Sequence, residues 1–189
     1  QRMGVDVNKV LLPLAGETVI TRSARAFLGM VSGLIVAARE EDMPDIAAAV
    51  RASGWPDARV TVVCGGEDRQ TSVWNALCAL PPDADHVLIH DGARCLVDEN
   101  TIRRVMVSVE GCGTGLAAIP AIDTVKHADA EGLVLSTPDR STLYAIQTPQ
   151  GFDVPLILAA HRKAQADHFL GTDDASVVEH MGHAVHLTQ

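Results

Sequence analysis

The sequence predicts an α/β fold: a mostly parallel sheet with helices on both faces and a projecting β-hairpin arm. Three observations carry that prediction. Up to Pro120, apolar strand-like segments alternate with helix-like ones, the order that builds a parallel sheet covered on both sides. One of those strands, Val87 to Ile89, ends abruptly in His90-Asp91-Gly92-Ala93-Arg94. That is a charged, glycine-containing turn at the end of a strand, where open sheets keep their ligands. The alternation then breaks into two polar extended segments joined by a turn-rich connector.

Taken in order, Thr18 to Phe27 reads as a helix and Gly33 to Ala38 as a short apolar strand. Met43 to Ala52 is an alanine-rich helix closed by Gly54-Trp55-Pro56. Arg59 to Val63 is a second strand opening into Cys64-Gly65-Gly66. Gln70 to Leu80 is a helix stopped by Pro81-Pro82, because proline cannot donate to the helical ladder. Asp85 to Ile89 is the strand with the charged end; Glu99 to Val109 is a helix and Gly115 to Pro120 a strand. Ala121 to His127 and Leu133 to Thr137 then form a hairpin around Ala128-Asp129-Ala130-Glu131-Gly132, an arm spanning about residues 121–140. It reads either as a solvated surface hairpin or as an arm pairing with a second subunit, since extended edges seek partners. Tyr144 to Gln150 follows, then helices near Pro155 to Ala166 and Asp174 to Met181, and a closing strand near Ala184 to Leu187. No repeat, linker or low-complexity tract intervenes, so residues 1–189 are expected to form one domain with a projection.

Composition narrows the function. The formal net charge is −9, whereas a nucleic-acid binder normally carries a basic stripe; no nucleic-acid partner is expected. No apolar run approaches the ~20 residues that span a bilayer, and no signal peptide is visible. The four cysteines, Cys64, Cys78, Cys95 and Cys112, form no Cys-x-x-Cys pair. They are expected as reduced core thiols of a cytoplasmic protein rather than a zinc or disulfide set. The chain starts at Gln1-Arg2-Met3-Gly4 and stops in the extended run Val185 to Gln189, so further residues are expected at both ends. An acidic protein that handles phosphates must gather its few cations locally and recruit a divalent metal. The placement of each Arg and Lys is therefore informative.

Arg2 and Lys9 precede the apolar run Val10-Leu11-Leu12; alone, they read first as a solvated surface. Gly65-Gly66-Glu67-Asp68-Arg69 and Ser72 join a strand to a helix start. Glycines there admit close backbone approach, and a helix N-terminus offers unpaired N–H groups. The alternative is an ordinary tight turn with Asp68 or Thr71 as the cap. Asp91 can hold a metal ion and Arg94 can grip a phosphate in a fork of hydrogen bonds. Asp123-Thr124-Val125-Lys126 follows a strand, Arg140 follows the hairpin, and Gln147-Thr148-Pro149-Gln150 is a polar cluster. In Gly171-Thr172-Asp173-Asp174-Ala175-Ser176, Thr172 or Asp173 opens a helix. His180, His183 and His186 recur every three residues, but Gly182 breaks the helix and no carboxylate joins them at fixed spacing, so a helix end is the better account. A Gly-x-Ser-x-Gly elbow, a Walker lysine loop and an intact Gly-x-Gly-x-x-Gly are all missing from this sequence.

Together these clusters resemble the 2-C-methyl-D-erythritol 4-phosphate cytidylyltransferases of isoprenoid synthesis. The matching runs are Arg2-Met3-Gly4 with Lys9, Gly65-Gly66-x-x-Arg69-x-x-Ser72-Val73, His90-Asp91-Gly92-Ala93-Arg94, Asp123-Thr124-Val125-Lys126, Asp139-Arg140, Gln147-Thr148-Pro149-Gln150 and Thr172-Asp173-Asp174-Ala175-Ser176. They span nearly the whole chain in the family's order. The resemblance implies a Rossmann-like nucleotidyltransferase fold, a homodimer exchanging its hairpin arms, Mg²⁺, and the substrates CTP and a sugar-alcohol phosphate. It implies that Arg2 and Lys9 grip the CTP phosphates, that Gly66, Glu67 and Ser72 read cytosine and ribose, and that Asp91 stands at the metal and nucleotide edge. It further implies that Arg94, Thr124, Arg140, Thr148 and Thr172 hold the sugar phosphate, Arg140 coming from the partner subunit with a catalytic role. Three positions depart from the family pattern: Asn8 and Cys95 replace prolines, and Glu67 replaces a common aspartate. The alternatives are a ribitol-5-phosphate cytidylyltransferase, which has similar motifs, and a catalytically silent nucleotide-binding module acting through its arm.

Overall fold

A computed structural model describes residues 8–188; Arg2 lies outside them. A short 3₁₀ turn, Lys9–Leu11, leads into a small hairpin of β1 (Pro13–Leu14) and β2 (Glu17–Thr18). Helix α1 (Val19–Ala26) starts on Thr18, whose hydroxyl accepts the Thr21 N–H, and buries Ile20, Thr21, Ser23 and Ala24. The 3–4 spacing of those four residues puts them on one stripe. Strand β3 (Leu34–Ala38) pairs in parallel with β4 (Val60–Cys64), Leu34 opposite Val60 and Ala38 opposite Cys64. Helix α2 (Met43–Arg51) crosses between them and buries Ile46 and Val50. Ile20, Phe27, Ile46, Val50, Trp55 and Ile102 form the core of this half.

The second half is a four-stranded sheet. After α3 (Arg69–Cys78) come β5 (His86–Ile89), α4 (Glu99–Cys112) and β6 (Thr114–Pro120), then the arm strands β7 (His127–Ala128) and β8 (Val134–Ser136). Strand β9 (Tyr144–Asp153), α5 (Val154–Ala166), α6 (Asp174–His180) and β10 (Leu187–Thr188) complete the order. Asp98 caps α4 by accepting the Thr101 N–H at 3.0 Å. Gly113, at φ 73°, ends it in the left-handed conformation, which glycine adopts without a Cβ penalty. Phe152, Leu116, Ile157, Val177 and Val178 fill the space between the sheet and helices α5 and α6.

Strand pairing is more mixed than the alternating order of segments suggests. The sheet order is β10-β6-β9-β5, with β9 antiparallel to both β5 and β6 and only β10 parallel to β6. The chain leaves β6, makes the arm and returns alongside. Without a crossover helix, the short return is antiparallel. The cysteines also differ from expectation. All four are free, but Cys64, Cys78 and Cys112 are exposed and Cys95 half-exposed. Cys64, Cys78 and Cys112 each close a strand or helix, where apolar flanks in the sequence do not imply burial. Among the described residues no helix is long and apolar enough to cross a membrane.

Candidate active site

Among the described residues no strand pairs between β3 and β5, and the open groove along their edges has Lys9, Gly66, Glu67, Ser72, Asp91 and Arg94 in its lining. Chain segments more than 80 residues apart are thus collected beyond the carboxyl ends of β4 and β5. Thr124 and Arg140 stand apart on the arm: Thr124 is exposed, and Arg140 donates Nη1 to the Ile122 carbonyl at 2.9 Å. Thr148 sits on β9 beside the Asp91 turn, and Thr172 is exposed just before α6.

The loop after β4 is built around one hydroxyl. Ser72 Oγ donates to the Asp68 carbonyl at 2.8 Å and accepts the Gly66 N–H at 3.0 Å. Asp68, not Thr71, caps α3 by accepting the Thr71 N–H at 2.7 Å. Gly66 has no room for a side chain: a Cβ there would lie 2.5 Å from Thr71 Cβ and 3.1 Å from the Thr71 backbone carbon. Rotating the threonine side chain relieves neither contact.

The turn after β5 is held from below. A carbonyl oxygen can only accept, so His90 Nε2 donates to the Arg94 carbonyl at 3.0 Å. Nδ1 of the neutral ring then accepts from Thr148 Oγ at 2.9 Å. The same hydroxyl accepts the Asp91 N–H at 3.2 Å. Burial depresses the His90 pKa below the ordinary histidine value, which keeps this neutral arrangement near pH 7. Thr148 therefore has both its donor and its acceptor role occupied in setting the turn.

Alternating charges run across the site. Asp91 Oδ2 accepts from Arg94 Nε at 2.9 Å, and Asp91 Oδ1 faces Arg69 Nε at 3.5 Å. Arg69 in turn donates to Asp174 Oδ2 at 2.6 Å, and Asp174 is only 1% exposed. Burial would raise Asp91, but the hydrogen bond from Arg94 and the charges of Arg69 and Arg94 outweigh it and hold the carboxyl below the usual range. For Asp174, burial prevails and pushes the carboxyl up, with Arg69 pulling against it. Arg94 also donates to Gln147 Oε1. Gln150, fully buried, donates to Asp173 at 2.9 Å and accepts the Ala175 N–H at 3.0 Å, tying the α6 start to β9.

Sequence reasoning did not select Arg69, Asp174, His90 or Gln147 as site residues. All four lie inside the matching runs quoted above, and that was the available signal. The opening of α6 is settled as Asp173, with Ser176 completing a capping box. Of the three recurring histidines, His180 in the last turn of α6 stacks on Phe169 at 4.0 Å and bonds Asp167 at 2.7 Å. His183 and His186 bond the Ala184 carbonyl and the Thr114 hydroxyl. Among the described residues no group of three or more His, Cys, Asp or Glu side chains is placed to hold a metal. Mg²⁺ is commonly bound by one or two carboxylates plus substrate phosphates; Asp91 offers one carboxylate at this turn, with both oxygens facing arginines.

Known proteins are similar to this chain along its given length. The family model described as 2-C-methyl-D-erythritol 4-phosphate cytidylyltransferase matches residues 1–189. A relative of that name from Parasynechococcus marenigrum is 42% identical over 189 residues, covering 99% of this chain and 82% of the relative. One of the same name from Bacillus mycoides is 40% identical over 192 residues, covering 100% and 83%. Among solved structures, a 4-diphosphocytidyl-2C-methyl-D-erythritol synthase from Anaerococcus prevotii superposes with a TM-score of 0.85 at 28% identity, over 93% of this chain and 77% of that one. A 2-C-methyl-D-erythritol 4-phosphate cytidylyltransferase from Thermus thermophilus gives 0.80 at 27% identity, over 96% and 82%.

Proposed function

We infer the roles of these residues from one premise: the chain belongs to the 2-C-methyl-D-erythritol 4-phosphate cytidylyltransferase family. It is a nucleotidyltransferase of Rossmann-like fold that transfers a cytidylyl group from CTP to 2-C-methyl-D-erythritol 4-phosphate, giving the CDP-methylerythritol product and pyrophosphate. An oxygen of the acceptor phosphate attacks the α-phosphorus of CTP. The bond from that phosphorus to the bridging oxygen breaks, and its electrons leave with pyrophosphate.

The nucleophile needs no general base, because the second pKa of a phosphate monoester is about 6 and it is ionised at neutral pH. The obstacle is repulsion between polyanions. Unit charges 4 Å apart interact by about 4 kcal/mol at an effective dielectric near 20. Cations fixed before the reaction cancel this without reorganising during it. Lys9 supplies one such charge at the groove, and Arg2, outside the described residues, is proposed as a second. Gly66, Glu67 and Ser72 line the nucleotide side. Arg94 takes the acceptor phosphate; Thr124 on the arm and Thr172 before α6 lie outside the groove lining and are proposed as further acceptor contacts. Thr148 acts on the acceptor through the turn it holds. Asp91 would hold Mg²⁺ together with CTP phosphates, and the ion when bound adds charge neutralisation at the phosphates.

A homodimer formed through the arm belongs to the same proposal. Ile122, Leu133, Val134 and Leu135 are 78, 66, 53 and 56% exposed, a concentration of apolar surface that calls for a partner. Arg140, at the arm base and absent from the groove lining of its own chain, is then supplied to the partner's acceptor site. A cytoplasmic site of action is also proposed; the four free cysteines suit a reducing compartment.

The observation that carries the reading is that Gly66, Ser72, Asp91 and Arg94 follow the carboxyl ends of the strands β4 and β5, with Lys9 on the same groove. A coupled pyrophosphate-release assay tests it, comparing CTP with other nucleotides and methylerythritol phosphate with ribitol phosphate. Turnover is expected with CTP and the methylerythritol acceptor. Equal turnover with ribitol phosphate, or CTP binding without pyrophosphate release, would overturn it. Two variants probe the sides separately. Gly66→Ala weakens CTP binding roughly tenfold, consistent with the ~1–3 kcal/mol of an overpacked contact, measured by calorimetric titration of CTP. Arg140→Ala raises KM for the acceptor roughly tenfold, the loss of one charge-assisted phosphate contact, and leaves CTP affinity nearly intact. Equal damage to both substrates would count against the Arg140 assignment.

A further inference from the structure

Both carboxylate oxygens of Asp91 face arginines, and the two arginines are anchored very differently. Arg69, on Oδ1 at 3.5 Å, is fixed from behind by the buried Asp174. Arg94, on Oδ2 at 2.9 Å, has as its other partner the neutral amide of Gln147. The two side chains are equally exposed, so the difference is that Arg94 has no second carboxylate behind it. An exposed ion pair contributes little, whereas an acceptor phosphate brings nearly two negative charges and three acceptor oxygens. Departure of Arg94 uncovers Oδ2, a hard oxygen of the kind a divalent cation takes.

We propose that Arg94 is a latch shared by two ligands: it covers Asp91 until the acceptor phosphate draws it away, so that acceptor and divalent cation each tighten the binding of the other. The proposal rests on the reading that Arg94 meets the acceptor and Asp91 the cation. Asp174 and Arg69 are positioning residues in this device, because they keep Asp91 in place when Arg94 departs. Coupling between the two ligands must be reciprocal. The complex able to react thereby becomes the one in which all ligands are present.

The test uses Mn²⁺ as the probe and its electron paramagnetic resonance signal as the readout. A CTP analogue with a methylene bridge between the α- and β-phosphorus prevents reaction. In the unaltered chain, saturating methylerythritol phosphate is expected to tighten Mn²⁺ about fivefold, within the ordinary range of coupled sites. Arg94→Gln is expected to tighten Mn²⁺ severalfold without acceptor, while weakening the acceptor, and to abolish the coupling at saturating acceptor. If instead the acceptor leaves Mn²⁺ affinity unchanged, or coupling survives in Arg94→Gln, the latch is overturned. An Asp91→Asn variant that binds Mn²⁺ as tightly as the unaltered chain overturns the underlying reading of Asp91, and the latch with it. Weakened Mn²⁺ in Asp91→Asn with unchanged Mn²⁺ in Arg94→Gln overturns the latch alone.

Discussion

Lys9→Ala lowers kcat by roughly 10²–10³-fold, the loss that follows removal of one preorganised charge from a transition state, while the melting temperature stays nearly unchanged. The two halves of this expectation have separate origins. Lys9 is exposed at the start of the Lys9–Leu11 turn, and among the described residues its side chain makes no ion pair. Its removal opens no cavity and orphans no buried partner, so a substitution at such a surface position moves stability little. At the groove, one cation about 4 Å from a phosphate oxygen contributes about 4 kcal/mol at an effective dielectric of 20, which corresponds to about three decades in rate. Lys9→Arg restores the charge but not the compact point geometry of an ammonium, and recovers part of the rate. Steady-state pyrophosphate release alongside thermal melting checks both halves. Near-normal kcat in Lys9→Ala would remove Lys9 from the chemistry, and a large fall in melting temperature would show a structural role instead.

What the sequence made legible was whatever is local. The run Val87 to Ile89 followed by His90-Asp91-Gly92-Ala93-Arg94 announces a strand and its functional turn, because apolar residues stop and charged ones begin within a few positions. The caps are local too: Asp98 and Asp173 each lie three residues before the N–H they accept. Illegible parts depend on contacts far apart in the chain. Arg69 and Asp174 are 105 residues apart, and neither residue alone betrays the other. Thr148 reaches back 58 residues to His90, so its part in holding the turn is a property of the sheet order. The antiparallel course of β9 has the same source, since strand direction is settled by what lies beside a strand.

His161 illustrates that limit and carries the second large expectation. In the sequence it is one polar residue in an alanine-rich helix. In the structure it is fully buried on α5, it stacks on Trp74 with ring centroids 6.0 Å apart, and neither ring nitrogen has a hydrogen-bond partner among the described residues. Burial, aided by the nearby charge of Arg69, lowers its pKa to about 4 from an ordinary 6.5. A histidine with a depressed folded-state pKa stabilises the fold above its unfolded pKa, and that contribution is lost as pH falls toward the folded value. The window is therefore pH 6.5 down to about 4, and the difference amounts to at most about 3 kcal/mol at 1.36 kcal/mol per unit. His161→Leu removes the titration and two unsatisfied buried nitrogens, each of which costs about 1–3 kcal/mol. The variant is expected to be more stable at pH 7 and progressively more so toward pH 4. Urea unfolding at pH 7, 6, 5 and 4.5 measures this directly. Carboxylates that also weaken the fold in acid, such as Asp91, act in both proteins and cancel in the difference. If the stability gap stays constant across that series, His161 does not titrate with folding, and the acid sensitivity of the fold must come from other groups, His90 and the carboxylates among them.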